Sequence, residues 1–300
     1  MPFLLVAAGS ALLPSAAPAS MVPAAVVLIF IIAGTAASLQ FGWAGLPDFS
    51  IAAWFFAGGW GTAATMQVLP LPFWACVALS AAAITIVAVA ITSPLLRLRS
   101  ETFAMVTLAI AVIIPAIVSH QTFFTVRTVT VSAATLAETY DVLIAIVLLA
   151  GALAVLLERS PLGLALRAGE DRILCGSIGL NIRRSKLLVV AMSASTAATA
   201  GCMLPALQVN TNSAFAGFDT IAAILAIAMI AGRRSSAAVM AALIIAGIPQ
   251  FVPALSDYRL LLAGAAIFTC AAWRVFSPNR GGNTPIDSLK LTQMMEAGAE

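Results

Sequence analysis

Residues 73–95 read FWACVALSAAAITIVAVAITSPL, a run of 23 positions with no charged side chain. About 20 mostly apolar residues in a helix are enough to cross the hydrocarbon core of a bilayer. The same character extends in both directions. Residues 1–96 hold a single charged side chain, Asp48. Over the 300 residues, 62% are hydrophobic, 9% are charged, and the mean hydropathy is +1.06. An ordinary soluble domain is about 25% charged, and a soluble globule of this size could not hide so much apolar surface. The chain therefore reads as an integral membrane protein built from helices.

Candidate spans fall at about 22–40, 49–68, 73–95, 102–118, 142–157, 187–206, 218–232, 237–255 and 259–276. The shorter ones imply broken or tilted helices inside a bundle. The stretch 3–20 is a candidate tenth span, interrupted by Pro14 and Pro18. It lacks the basic start of a cleaved signal peptide, so it reads as a retained first helix. The fold class is thus an all-α polytopic bundle of 9–10 spans over residues 1–276. A polar tail, 277–300, follows.

Composition also excludes. The one histidine, His120, has no partner cluster, so neither a metal site nor a catalytic centre is expected. Cys76, Cys175, Cys202 and Cys270 show no paired spacing and read as small apolar fillers. No Gly-rich loop ending in Lys-Ser/Thr is present, so the chain has no nucleotide site of that kind and no cofactor is expected. The net charge of +3 falls in loops flanking the membrane, which argues against nucleic acid. Too few ionisable residues lie in the spans to couple ions, against a stand-alone secondary transporter or channel. No Gly-x-Ser-x-Gly elbow supports an intramembrane hydrolase.

Lysine and arginine fix an expected orientation. Thirteen of them, from Arg97, Arg99 and Arg159 through Arg183, Arg184 and Lys186 to Arg233, Arg234 and Lys290, fall on one side of the spans. Arg127 and Arg259 alone fall on the other. The positive-inside rule makes the crowded side cytoplasmic, with the C-terminal tail.

One cytoplasmic loop, 158–186, carries a coherent motif: SPLGLALRAGEDRILCGSIGLNIRRSKL from Ser160 to Leu187. Ser160 and Pro161 suit the cap and first position of a helix. Glu170 and Asp171 suit the start of a second, and Gly179 its left-handed end. The expected product is a helix-turn-helix outside the bilayer with an exposed apolar ridge. This segment resembles the coupling loop of the branched-chain amino-acid permease family of ABC importers. The likeness rests on Gly163, Ala165, Leu166, Arg167, Ala168, Glu170, Asp171, Gly179, Leu180, Asn181 and Lys186, in register. Cys175-Gly176-Ser177 stands where the family usually has Ala, Glu and Ala.

Two more segments are similar to the same family: Gly42 to Trp60, through Gly42, Ala44, Gly45, Ala52, Ala53, Phe55 and Gly58, and Leu96 to Ile110, LRLRSETFAMVTLAI. The second points to the LivM-type rather than the LivH-type subunit. A family stretch rich in glycine is replaced at Ala231–Ala238 by AGRRSSAA, which puts close helix approach at that turn in doubt.

The resemblance implies a non-catalytic transport subunit in the cell membrane. A LivH-type second permease, two cytoplasmic ATP-binding subunits and an extracytoplasmic substrate-binding protein would be its partners. Its implied cargo is branched-chain or other small neutral amino acids, with urea or short amides as the alternative. Gly163, Arg167, Ala168, Glu170, Asp171, Gly179, Leu180 and Asn181 would then couple to the ATPase. Gly42, Gly45, Asp48, Phe55 and Gly58 are the expected lining of the path, because glycines permit broken helix and a lone intramembrane acid is a functional suspect. Asp48 reads equally well as a helix cap after Pro47. Trp43, Trp54, Phe55, Phe56 and Trp60 read as interfacial anchors.

Overall fold

The computed structural model describes residues 3, 4, 6, 21–119, 133–160, 163, 182–207, 218–232, 235–251 and 258–276. Every described element is helical. Helix α1 (Met21–Ser38) runs on into a π-helical turn, Leu39–Ala44, and after a short reversal α2 (Ile51–Val68) returns. Then come α3 (Phe73–Leu95), α4 (Ser100–Ser119), α5 (Ala133–Arg159) and α6 (Ile182–Cys202), the last extended by a 3-10 turn at Leu204–Leu207. Helix α7 (Phe218–Ala231) precedes α8 (Ser235–Ala242), which passes through a second π turn (Leu243–Gly247) into α9 (Ile248–Phe251). Helix α10 (Arg259–Phe276) is the last. Each of the nine expected spans between residues 22 and 276 overlaps a helix among the described residues, and the tenth candidate, 3–20, lies almost wholly outside them. Five stretches are long and apolar enough to cross a membrane: Met21–Ala44, Phe73–Leu95, Ser100–Ile117, Glu138–Glu158 and Arg183–Leu207. Three shorter apolar helices cover Asp219–Ala231, Ala237–Phe251 and Leu260–Thr269.

Helix α1 is the axis of the bundle. From Ala24 to Ser38 every residue is buried, so it is apolar all round, as a helix enclosed by others must be. Helices α2, α5, α6, α7 and α8 surround it. The closest approach in this core is between α2 and α6. A Cβ on Gly58 would meet the backbone carbonyl oxygen of Ala198, and one on Gly201 would meet that of Phe55. Lipid gives no hydrophobic drive for helices to associate, so small residues that bring backbones into contact supply the packing.

That packing overturns one expectation. Trp43, Trp54, Phe55 and Phe56 are between 0% and 4% exposed. They fill the bundle interior and are not interfacial anchors. Trp54 packs with Ala88 and Ala194, and Trp43 with Phe103, Leu157, Val189 and Val190. An aromatic ring on α1 or α2 meets protein before lipid because those helices are enclosed.

Most hydroxyls in the spans bond to their own helix. Thr35 donates to Ile32 O, Thr62 to Gly58 O, Ser195 to Met192 O and Thr199 to Thr196 O. A few cross between helices. Ser193 Oγ donates to Ala36 O at 2.8 Å, and Thr65 and Ser80 hydroxyls lie 3.2 Å apart. Cys76 and Cys202 are free and buried, and the Cys202 thiol faces Gly58 O at 3.3 Å, as expected of small fillers.

Basic residues, with Arg184 and Lys186 among them, fall near one end of the bundle. The Leu157, Val189 and Trp43 cluster, with Leu95 and Leu96 against it, lies next in sequence to Arg97, Arg99, Arg159 and Arg183. Arg183 Nη2 also donates to Ser93 O at 3.4 Å. At the N-terminal side, Phe3 packs its ring on Gly151 of α5, where a Cβ would stand 2.6 Å from it. Residues 7–20, His120, Arg127, Arg233, Arg234 and the tail 277–300 lie outside the described residues. Within the divergent Ala231–Ala238 stretch, Gly232 keeps a positive φ of 52°, so this glycine still closes α7.

Candidate functional site

The reversal between α1 and α2 carries the densest polar chemistry of the described core. The π turn ends at Gly45, whose φ of 59° is left-handed and suits a residue with no Cβ. Gln40 O accepts from the backbone N–H of both Gly45 and Leu46. Pro47 follows, then Asp48, which is 1% exposed. Its Oδ1 accepts from Ser50 N at 2.8 Å and from Ser50 Oγ at 2.5 Å. Ser50 Oγ in turn accepts from Trp54 Nε1 at 3.0 Å. Helix α4 closes the reversal from the side: Thr107 Oγ1 accepts from Phe49 N at 3.2 Å and donates to Ala104 O at 3.0 Å.

One carboxylate oxygen of Asp48 thus holds the start of α2, as a capping residue would. The other, Oδ2, is buried and has no partner. Beside it Gln40, 0% exposed, leaves both amide atoms without a hydrogen bond. Its amide N–H side lies toward the carboxyl, at the margin of hydrogen-bond geometry. Thr220 in the first turn of α7 has an unpartnered buried hydroxyl as well. Asp48 lines a cavity with Ala37, Phe41, Phe49, Ile221 and Ile224. Neither Gln40 nor Thr220 had a signal in the charge pattern. Each is an uncharged polar residue in an apolar run, and only the depth of its burial singles it out.

Of the other expected path residues, Gly42, Phe55 and Gly58 are buried, and Gly45 alone is exposed. Phe55 lies 6.3 Å from Phe30, centroid to centroid. The structure brings Gly42, Gly45 and Asp48 together at the reversal, while Phe55 and Gly58 belong to the α2–α6 contact.

A second opening lies between α5 and α6. It is lined by Ile146, Leu149, Ala150 and Leu153 on one wall and Ser195, Thr196 and Thr199 on the other, with about 240 Å³ for a small occupant.

The loop between α5 and α6 begins as its sequence requires. Ser160 Oγ accepts from Gly163 N at 3.2 Å and donates to Leu157 O at 3.0 Å. This is the side-chain cap that satisfies an orphan N–H at a helix start. A Cβ on Gly163 would meet Leu157 O, so a bare backbone is needed for the chain to turn so tightly off α5. Arg167, Ala168, Glu170, Asp171, Gly179, Leu180 and Asn181 lie outside the described residues. Among the described residues no group of three His, Cys, Asp or Glu could hold a metal ion.

An enclosed apolar axis and outer helices long enough to span a bilayer together define a polytopic helical membrane protein. Residues 22–271 match the family of branched-chain amino acid transport system permease components, and the chain belongs to that family. It is similar to the high-affinity branched-chain amino acid transport system permease protein LivM of Escherichia coli (strain K12), with 26% identity over 287 residues. That alignment covers 84% of this chain and 68% of the relative. The LivM permease protein of Salmonella typhimurium is similar to the same extent, 26% over 287 residues, again 84% of this chain and 68% of the relative. No solved structure matches the chain.

Proposed function

We propose that the chain is the LivM-type half of a two-permease path for branched-chain or other small neutral amino acids. An extracytoplasmic binding protein feeds that path, and two cytoplasmic ATPases drive it. Urea or a short amide is the second cargo class. The observation that supports the reading is how the helices flanking residues 160–181 meet. Helix α5 ends at Arg159 and α6 begins at Ile182, and Leu157 and Val189, near those two ends, share one cluster. The two helix ends that flank residues 160–181 thus lie together, with Arg97, Arg99, Arg159 and Arg183 close by in sequence. A segment tethered between two packed helix ends can pass a push from a soluble motor to the bundle as a rigid-body shift. The chain has no phosphate-binding loop of its own, so the motor is a separate subunit. Arg167, Glu170, Asp171 and Gly179 are the contact, with Gly163, Ala168, Leu180 and Asn181 shaping it. The basic end and the tail after Phe276 face the cytoplasm. Gly42, Gly45, Asp48, Phe55 and Gly58 belong to the path and its supporting wall.

Gly179→Arg tests the coupling. It adds bulk and charge outside the bilayer, so the spans insert and abundance in the membrane stays normal. ATPase recovered with the tagged permease falls to background, and substrate uptake falls with it. Full association with full uptake would show that the loop is not the coupling element. Calorimetry of the cognate binding protein with leucine, alanine and urea distinguishes the cargo classes.

A further inference from the structure

We propose that the seam between the end of α3 and the start of α6 holds one anionic phospholipid. Its phosphate rests on Arg97, Arg99 and Arg183, and its chains lie on the apolar side chains below them. The starting point is a bridge between two helices. Arg183 is exposed, and its Nη2 donates to Ser93 O at 3.4 Å. That bond draws the first turn of α6 to the last turn of α3. Helix α3 ends at Leu95, and Arg97, Leu98 and Arg99 follow, all exposed on the turn into α4. The backbone N–H of Arg97 donates to Pro94 O at 3.2 Å, so the turn stays tight against the helix end. An arginine fork matches the oxygens of a phosphate in pairs.

The charge at this end of the bundle is one-sided. Among the described residues, Arg97, Arg99, Arg159, Arg183, Arg184 and Lys186 stand against two acids, Glu101 and Glu158. The surface beneath the cations is apolar. Ala88 of α3 and Ala194 of α6 pack in one cluster deeper in the seam. Along the chain between these residues and the arginines come Ile91 on α3 and Leu188 on α6, 37% and 50% exposed. Leu98, 41% exposed, stands between the two arginines of the turn. Cations at the rim of an apolar helix surface suit a charged headgroup with acyl chains below it, and basic pockets between membrane helices hold anionic headgroups in this way. A soluble anion would use the arginines alone and leave the leucine and isoleucine side chains uncovered.

The test is native mass spectrometry of the purified full chain in detergent doped with equal amounts of phosphatidylglycerol and phosphatidylcholine of matched chains. The thermal midpoint is the second readout. Wild type retains phosphatidylglycerol several-fold over phosphatidylcholine. Phosphatidylglycerol also raises the midpoint by a few degrees, whereas glycerol 3-phosphate, which has the charge but no chains, leaves it unmoved. The triple variant Arg97→Gln/Arg99→Gln/Arg183→Gln keeps the wild-type midpoint in phosphatidylcholine, which shows that it folds, but retains the two lipids equally. Arg280→Gln/Lys290→Gln removes two charges from the tail and keeps the preference. Equal retention by wild type, or an undiminished preference in the triple variant, would overturn the proposal. An equal rise with glycerol 3-phosphate would overturn it as well, by showing a site for a free anion. Neither readout involves uptake, so the proposal stands or falls apart from the transport assignment.

Discussion

Helices α1 and α4 are both uncharged over their central turns, yet 89% of the apolar stretch of α1 is buried in the bundle and only 22% of that of α4. Apolar content tells that a helix crosses a membrane. It does not tell whether the neighbour is protein or lipid, since a lipid tail and a leucine side chain present the same surface. The difference lies in what touches. The core around α1 is made of backbone-to-backbone approaches and a handful of crossing hydrogen bonds. Helix α4 presents Met105, Val112, Ile113 and Ile117 outward, each more than half exposed.

Four substitutions probe that contrast, from the largest effect to the smallest. Gly201→Val puts a branched side chain where even a Cβ meets Phe55 O. Overpacking costs about 1–3 kcal/mol where side chains can yield, and here a backbone must yield. The expected result is loss of the monodisperse peak in fluorescence-detected size exclusion. A normal peak would mean that α2 and α6 are not packed backbone to backbone. Asp48→Leu removes the acceptor of both Ser50 bonds and leaves the start of α2 unheld. We expect a loss of about 1–3 kcal/mol, read as a lowered thermal midpoint, with Asp48→Asn much milder. Ser193→Ala deletes the crossing bond to Ala36 O, for which about 0.6 kcal/mol is typical inside membranes. Met105→Leu on α4, at 74% exposure, should leave the midpoint within about 0.5 kcal/mol of wild type. A large change there would show that a partner subunit, not lipid, covers α4.

The same contrast marks what could be read from the chain alone. The spans were legible because hydropathy sums over some 20 residues. The start of the 160–181 loop was legible because Ser160-Pro161 is a local signal and its hydrogen bond is local too. Asp48 stood out as the one charge in 96 residues. Its double role, one oxygen capping and the other facing a cavity, was not visible, because it depends on Gln40 eight residues back and on α7 far along the chain. The aromatic residues of the Gly42–Trp60 segment misled for a related reason. Trp43 and Trp54 have the composition of a membrane-interface belt, and only the enclosure of their helices makes them core.

The hydroxyls of α6 have a mechanical consequence. Ser195, Thr196 and Thr199 donate to carbonyls of their own helix, so their outward faces carry no directional bond to a neighbour. A surface of this kind has no preferred register, and sliding past it breaks only dispersion contacts, which re-form at each step. Bonds that do cross, among them Ser193 to Ala36, the Cys202 thiol to Gly58, Phe49 N–H to Thr107 and Thr107 to Pro47, fasten α6 to α1 and α2 and α4 to the reversal. The described bonds therefore rivet α6 on its α1 and α2 side, while Ser195, Thr196 and Thr199 line the open cleft beside α5. A push arriving between α5 and α6 would meet least resistance along that cleft.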